Sequence, residues 1–206
     1  MGGVVIVVDR GRVWTVTLDR PERANALSAD LVECLHVTLD QVDRARPAAL
    51  VLRGNARHFA AGFDLRGLDR ETDASLAQRF LRIGLLLERL AAAPCPTVAV
   101  AEGTAIGAGA DLVLACDHRL VAPGVTLRFP GSAIGVALGA VRRAELGATQ
   151  ITGTPADLAA VLAGPAPTRA AHDADADLAA LARSLVRPGL RDRIASYAST
   201  LTKEPA

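Results

Sequence analysis

Apolar residues repeat along this chain with two different periods, and the two periods alternate. Val4 to Val8 and Val13 to Leu18 are short runs rich in β-branched residues, which is typical of strands. Leucines then recur every fourth position from Leu31 to Leu39, behind Ser28, a residue type that favours helix N-caps. The pattern therefore predicts two strands followed by a helix.

The same alternation continues through the middle of the chain. Strands are predicted at 48–54, 97–103, 118–123 and 125–129, a helix from about Ser75 to Leu90, and a loop at 55–68. Beyond Gly139 breakers become frequent, and the pattern predicts helices at 140–150, 177–186 and 190–201. Strands alternating with helices indicate an α/β fold, with a core over residues 1–153 and a short helical C-terminal segment over 154–206.

Composition restricts the class of protein. The chain has 206 residues, of which 50% are apolar and 22% charged, and this suits one folded globular domain. A net charge of +1 does not indicate binding to nucleic acid or to an anionic membrane surface. Three cysteines without a CxxC pair argue against a disulfide framework and suit a reducing compartment. With no signal-peptide pattern and no long apolar run, we expect a cytoplasmic protein without a membrane segment.

Several common site motifs are missing. The stretch "GAGADL" begins like a dinucleotide fingerprint, but Leu112 stands where the third glycine belongs. There is no GxxxxGK[ST] loop and no GxSxG elbow. The histidines are not paired at metal-ligand spacing, and "HDADAD" at 172–177 is interpreted as a solvated helix cap. We therefore expect no phosphate loop, serine hydrolase site or metal site.

Two loop-to-helix junctions remain, each after a hydrophobic strand: "HFAAGFDL" at 58–65 and "GTAIGAGADL" at 103–112. Small residues at a helix start leave backbone N–H groups unshielded, and the helix dipole adds positive potential there. Two such N–H groups converging from separate loops would form an oxyanion hole. The alternative is that both junctions are only tight glycine-rich turns.

Several blocks together resemble those of one family. "LDRPERANALS", "FAAGFDL" and "AEGTAIGAGADLVLACDHRLVAP", followed by "FP", are similar to the signature blocks of the crotonase, or enoyl-CoA hydratase/isomerase, superfamily. They occur in the family's order and spacing over about residues 4–150. The resemblance implies a spiral of ββα units that binds an acyl-CoA thioester and assembles into homotrimers or hexamers.

The resemblance also implies the site residues. The backbone N–H groups of Phe63 and Ala108 would hold the thioester oxygen, and Arg20 and Arg23 are candidates for the CoA phosphates. The contacts to substrate and CoA would come from Ala24, Ala26, Leu27, Ala60, Ala61, Gly62, Asp64, Leu65 and Gly107. Coenzyme A enters as part of the substrate, and no other cofactor is expected.

The acidic residues depart from the family's pattern. Hydratases of the family use two glutamates; Asp111 falls on the first position, and Gly131, in "RFPGSAIG", on the second. Adding water to a double bond requires that the water be oriented and a proton be delivered, and a single carboxylate would have to do both. Asp111 is therefore either an acid/base catalyst or a favourable charge at a helix N-terminus, and Glu102 is expected to face away. Three functions stay open: a hydratase or isomerase, a catalytically silent acyl-CoA binder, and an interaction subunit.

Overall fold

The computed structural model describes residues 6–147, 151–169 and 171–201, and the strands within these ranges form two sheets. The larger sheet has the order β1-β2-β3-β5-β7, with β1 antiparallel to β2 and the other neighbours parallel. Its strands are β1 (Ile6–Arg10), β2 (Val13–Leu18), β3 (Ala49–Arg53), β5 (Thr97–Ala101) and β7 (His118–Val121). The smaller parallel sheet contains β4 (His58–Ala60), β6 (Thr104–Ile106) and β8 (Leu127–Arg128), in that order.

The helices follow the strands in a regular way. They are α1 (Ala29–Ala45), α2 (Asp73–Ala91), α3 (Ala108–Ala115), α4 (Gly131–Ile134), α5 (Ala140–Leu146), α6 (Leu158–Ala163), α7 (Ala174–Leu185) and α8 (Leu190–Leu201). Three successive units each place one strand in the larger sheet, the next in the smaller sheet, and then a helix: β3-β4-α2, β5-β6-α3 and β7-β8-α4. This confirms the predicted α/β fold built as a spiral of ββα units.

Most predicted elements are present, and the elements that were missed include the short strands β4 and β6 and the four-residue helix α4. The strand Val13–Leu18 has the predicted bounds, Ser28 accepts a hydrogen bond from the Leu31 N–H as the N-cap of α1, and α8 spans 190–201. The interpretation of 55–68 entirely as a loop is wrong, because β4 lies within it. This strand has three residues, too few to carry a period-2 signal, and the predicted strand residues 4 and 5 lie outside the described residues.

The larger sheet has an apolar core on each face. On β3, the buried Leu50 and Leu52 belong to the main core, which includes α1 and α2, whereas Val51 points to a second, smaller cluster. Leu158 and Val161 of α6 pack against that second cluster. Strand residues alternate between the faces of a sheet, so a parallel strand covered on both sides becomes an uninterrupted apolar run. The run at 48–52 has this physical origin.

The C-terminal helices are joined to the core through their ends. The Asp73 carboxylate in the first turn of α2 accepts hydrogen bonds from the N–H groups of Leu190 and Arg191, at 3.0 and 2.8 Å, and so caps α8. The Asp177 carboxylate of α7 likewise accepts from the Val141 N–H of α5 at 3.2 Å. These caps fix the start of each helix relative to another helix. No helix of the described residues has the length and apolarity required to cross a bilayer.

Candidate functional site

The first predicted loop presents the N–H of Phe63. An isolated parallel bridge joins Leu27 to Phe63. In it Leu27 donates to the Gly62 carbonyl at 2.7 Å and accepts from the Asp64 N–H at 3.2 Å. Phe63 lies between these two partners, so its own N–H points away from Leu27, as alternation along an extended chain requires. The loop is therefore held by its neighbours while the central N–H remains outside the ladder.

The second predicted loop presents the N–H of Ala108. Ala108 is the first residue of α3, where the helix itself supplies no acceptor for the N–H groups. A Cβ atom on Gly62 would lie 2.6 Å from the Ile106 carbonyl oxygen and 3.4 Å from the Ala108 nitrogen. The two loops therefore touch, and a side chain at Gly62, whose φ is +86°, would force them apart.

A third close approach explains a further glycine in the second loop. A Cβ atom on Gly109 would lie 2.3 Å from the Ala60 carbonyl oxygen. The start of α3 is thus packed directly on the end of β4, and both residues are fully buried. The glycines at 107 and 109 together allow the helix to begin against the neighbouring strand, with its N-terminus beside Phe63.

Both loops border a cavity of about 610 Å³. Its walls come from the loop after β4 and from α2, β6, α3, β8, α4, α5 and α8. The lining residues are Ala61, Gly62, Phe63, Leu65, Phe80, Ile106, Gly107, Ala108, Asp111, Arg128, Phe129, Pro130, Gly131, Ile134, Val136, Leu138, Arg143, Ile194, Tyr197 and Thr200. Of the sequence-predicted site residues, Ala61, Gly62, Phe63, Leu65, Gly107, Ala108 and Asp111 are on this wall. Ala24, Ala26, Leu27, Ala60 and Asp64 are not, and Leu27 and Ala60 are core residues.

Asp111 is the buried acid of the cavity. Its side chain is 5% exposed and forms an ion pair with Arg143, whose Nη1 lies 2.5 Å from Asp111 Oδ1. Burial raises the pKa of Asp111 to about 7, and the nearby Arg143 guanidinium offsets only part of this effect. Gly131 lines the same cavity without a side chain. Among the described residues of the cavity wall, Asp111 is therefore the one carboxylate, and it can gain or lose a proton near neutral pH.

The loop that carries Phe63 is fixed by a buried ion pair. Arg20 Nη2 lies 3.1 Å from Asp64 Oδ2, both side chains are less than a tenth exposed, and Arg20 also donates to the Ala26 carbonyl. Burial alone would raise the pKa of Asp64, but hydrogen bonds from Arg66 and Arg20 outweigh it and lower that pKa. The Arg20 guanidinium is buried in these contacts, which argues against the predicted contact with CoA phosphates. Arg23 is exposed.

Aromatic stacking holds the Phe63 ring. The ring of Phe63 stacks on that of Phe80, a residue of α2, with the two centroids 4.2 Å apart. The guanidinium of Arg79, also on α2, lies 4.1 Å from the centroid of the Phe63 ring. Arg79 also donates to the Asp64 carbonyl at 2.9 Å. These contacts restrict the motion of the Phe63 side chain, which favours a preorganised backbone N–H at this residue.

Sequence reasoning missed the groups that arrive from distant elements. Arg143 of α5 and Tyr197 of α8 both line the cavity, and Phe129 lies 4.9 Å below the Arg143 guanidinium. A basic residue in a breaker-rich region gives no local sign that it meets Asp111. Glu102 faces away as expected, since it pairs with Arg53 at 2.7 Å on the surface.

A second cluster of ionisable groups lies outside the cavity. Glu88, His172 and Asp177 each offer one possible metal-ligand atom, all within 4.8 Å of one another. Arg142 donates to both Glu88 oxygens, at 2.9 and 3.1 Å, and Asp177 caps α5, so the cluster already has partners for its charges. The solvated-cap interpretation of 172–177 is right for Asp173, which caps α7, but wrong for the buried Asp177.

Comparison with known proteins identifies the family. A family model described as enoyl-CoA hydratase/isomerase matches residues 9–162. A probable enoyl-CoA hydratase of Mycobacterium tuberculosis is 41% identical over 126 residues, which cover 61% of this chain and 50% of that protein. An enoyl-CoA isomerase/hydratase of Mycosarcoma maydis is 35% identical over 138 residues, covering 62% of this chain and 50% of that one.

A solved structure has a similar fold over nearly the whole chain. The crystal structure of a "putative enoyl-CoA hydratase/isomerase" from Bordetella parapertussis superposes with a TM-score of 0.85 at 34% identity, covering 98% of this chain and 100% of that one. The chain spans about half the length of the curated relatives described above. On the family model and this structural match, the chain belongs to the enoyl-CoA hydratase/isomerase family.

Proposed function

We propose that this protein binds an acyl-CoA thioester and polarises the thioester carbonyl between the N–H groups of Phe63 and Ala108. The observation that carries the proposal is that both N–H groups border one largely apolar cavity from touching loops. An oxygen placed between them would be stabilised as it gains negative charge, and one such donor is worth roughly 2.7–4 kcal/mol in a transition state. Coenzyme A acts as the carrier of the acyl group, and no other cofactor takes part.

In the same proposal, Asp111 is the acid/base of a hydratase or isomerase reaction. It would accept a proton from, or return one to, a carbon of the acyl chain near the polarised carbonyl. A carboxyl group with a pKa of about 7 is well matched to both roles at neutral pH. Gly131 offers no second acid, and Asp111 is the one carboxylate among the described residues of the wall, so in this proposal Asp111 serves each proton transfer.

The experiment is loss of the conjugated enoyl-thioester absorbance with a short and a long trans-2-enoyl-CoA, in wild type and Asp111→Asn. We expect turnover in wild type and a loss on the order of 100-fold or more in the variant, the lower end of what a general acid/base contributes. Exposed Asp175, on α7, gives the matched control Asp175→Asn, which keeps full turnover. Equal turnover in Asp111→Asn and wild type would contradict the role of Asp111.

A second candidate function is a catalytically silent acyl-CoA binder. The ion pair between Asp111 and Arg143 favours it, because a carboxylate held by a guanidinium is a weaker base. This function predicts that acyl-CoA raises the melting temperature without any turnover. If acyl-CoA neither raises the melting temperature nor is turned over, both functions fail and an interaction subunit remains.

The proposal includes a cytoplasmic homotrimer or hexamer that binds neither nucleic acid nor membranes. Family membership supports the assembly, and the net charge of +1 supports the absence of nucleic-acid and membrane partners. Light scattering coupled to size exclusion measures the mass directly, and a monomer at micromolar concentration would contradict the assembly.

A further inference from the structure

Arg143 is a cation in the wall of an otherwise largely apolar cavity. Its side chain is 21% exposed, and the guanidinium lies over the Phe129 ring at 4.9 Å. Within the described residues its hydrogen bonds all come from Nη1, which donates to Asp111 Oδ1 at 2.5 Å and to the Leu138 carbonyl at 2.7 Å. The Nε and Nη2 N–H groups therefore remain as donors on a side chain that lines the cavity.

The charges of the cavity wall do not cancel. Among the described residues, the charged ones in this wall are Asp111, Arg128 and Arg143, which are one acidic and two basic residues. Gly131 adds no charge to this wall. Asp111 engages only Nη1 of Arg143, so a purely hydrocarbon acyl chain would cover the Nε and Nη2 donors without offering them an acceptor, which costs free energy.

Taken together, the geometry points to Arg143 as the recognition group for a carboxylate on the acyl chain, and we infer that the preferred ligand is a carboxylated acyl-CoA, such as a dicarboxylic monothioester. The inference rests on the proposed acyl-CoA binding. A guanidinium presents paired N–H donors that match the two oxygens of a carboxylate, which a single ammonium group cannot do.

Asp111 and the ligand carboxylate would then share Arg143. Two carboxylates on one cation disfavour a second negative charge, so the protein carboxyl group takes up a proton when the ligand binds. The apolar lining residues Phe63, Phe80 and Ile134 would contact the methylene groups between the thioester and the carboxylate. The CoA phosphates are at the far end of the ligand and do not compete for Arg143.

The test measures Kd by isothermal titration calorimetry for two acyl-CoA molecules of similar length. Glutaryl-CoA carries the terminal carboxylate, and hexanoyl-CoA is the counterpart with an uncharged acyl group. We expect wild type to bind glutaryl-CoA about tenfold more tightly than hexanoyl-CoA, the gain typical of one charge-assisted hydrogen bond. In Arg143→Gln this preference should disappear, whereas Arg183→Gln, which removes an exposed charge on α7, should retain it.

Each outcome decides one question. If wild type binds hexanoyl-CoA at least as tightly as glutaryl-CoA, the carboxylate inference is overturned and the proposed acyl-CoA binding stands. If neither ligand binds, the proposed function itself fails. If the preference persists in Arg143→Gln, Arg143 is not the recognition group. The comparison in wild type needs no variant, so a poorly folding Arg143→Gln protein would leave the inference testable.

Discussion

The free energy of unfolding of the Asp111→Asn variant, relative to that of wild type, should increase as the pH rises. The pKa of Asp111 is raised to about 7 in the folded state, against about 3.9 in an unfolded chain. Between these values the folded state retains the proton that the unfolded state has lost. The stability that the buried, protonated carboxyl group contributes is thus fully present below pH ~4 and is lost as pH rises through about 7.

The size of the effect follows from the difference between the two pKa values. A difference of about 3 units at about 1.4 kcal/mol per unit gives about 4 kcal/mol. The quantity of interest is the free energy of unfolding of Asp111→Asn minus that of wild type. Between pH 4 and pH 8 this quantity should change by at most that amount. The ion pair with Arg143 does not alter the sign, because arginine stays charged throughout this range.

Urea denaturation of both proteins at several pH values between 4 and 8 measures this difference. The free energy of unfolding of Asp111→Asn minus that of wild type should increase steadily with pH and level off above pH ~7. Asp117→Asn is the control, because hydrogen bonds from Arg169 and Thr97 overcome burial and lower the pKa of Asp117. The free energy of unfolding of Asp117→Asn minus that of wild type should be constant above pH ~5. A flat or falling curve for Asp111→Asn would mean that Arg143, rather than burial, sets the pKa.

Two further predictions concern packing and reactivity. Gly109→Ala should lower the free energy of unfolding by about 1–3 kcal/mol, because the new Cβ would lie 2.3 Å from the Ala60 carbonyl oxygen, whereas Gly11→Ala should stay within about 0.5 kcal/mol. Equal melting temperatures for these two variants would refute the close approach of α3 to β4. Iodoacetamide at pH 8 should modify Cys34 in the native protein and spare Cys116, because burial raises the pKa of the Cys116 thiol to about 12. Mass spectrometry of the labelled protein measures both rates, and similar rates at the two cysteines would contradict this prediction.

Local pattern was enough to predict most of the fold. Leucine spacing with an N-cap serine located α1, and the uninterrupted apolar run at 48–52 located β3, because each signal lies within the element itself. The short strands β4 and β6 were missed, since three residues cannot display a period. They are strands because they pair with each other in the smaller sheet, which is information held elsewhere in the chain.

The same limit applies to the site. The loops with Phe63 and Ala108 could be predicted because their glycines and small residues are adjacent in sequence. Arg143 and Tyr197 could not, because their relation to Asp111 depends on how α5 and α8 are capped by distant carboxylates. The burial of Arg20 could not be predicted for a similar reason: its partner, Asp64, lies 44 positions away.

The cap that Asp73 places on α8 has a consequence for the order in which the molecule forms during synthesis. Leu190 and the aspartate that caps its helix are 117 positions apart. The ββα units can therefore be complete on a ribosome while α8 is still inside the exit tunnel. Until that helix arrives, the cavity wall that carries Phe80 and Ile134 is not covered by Ile194 and Tyr197 of α8. Nascent chains of this protein should accordingly bind chaperones that recognise exposed apolar surface, through the incomplete cavity, and should release them when α8 packs against it.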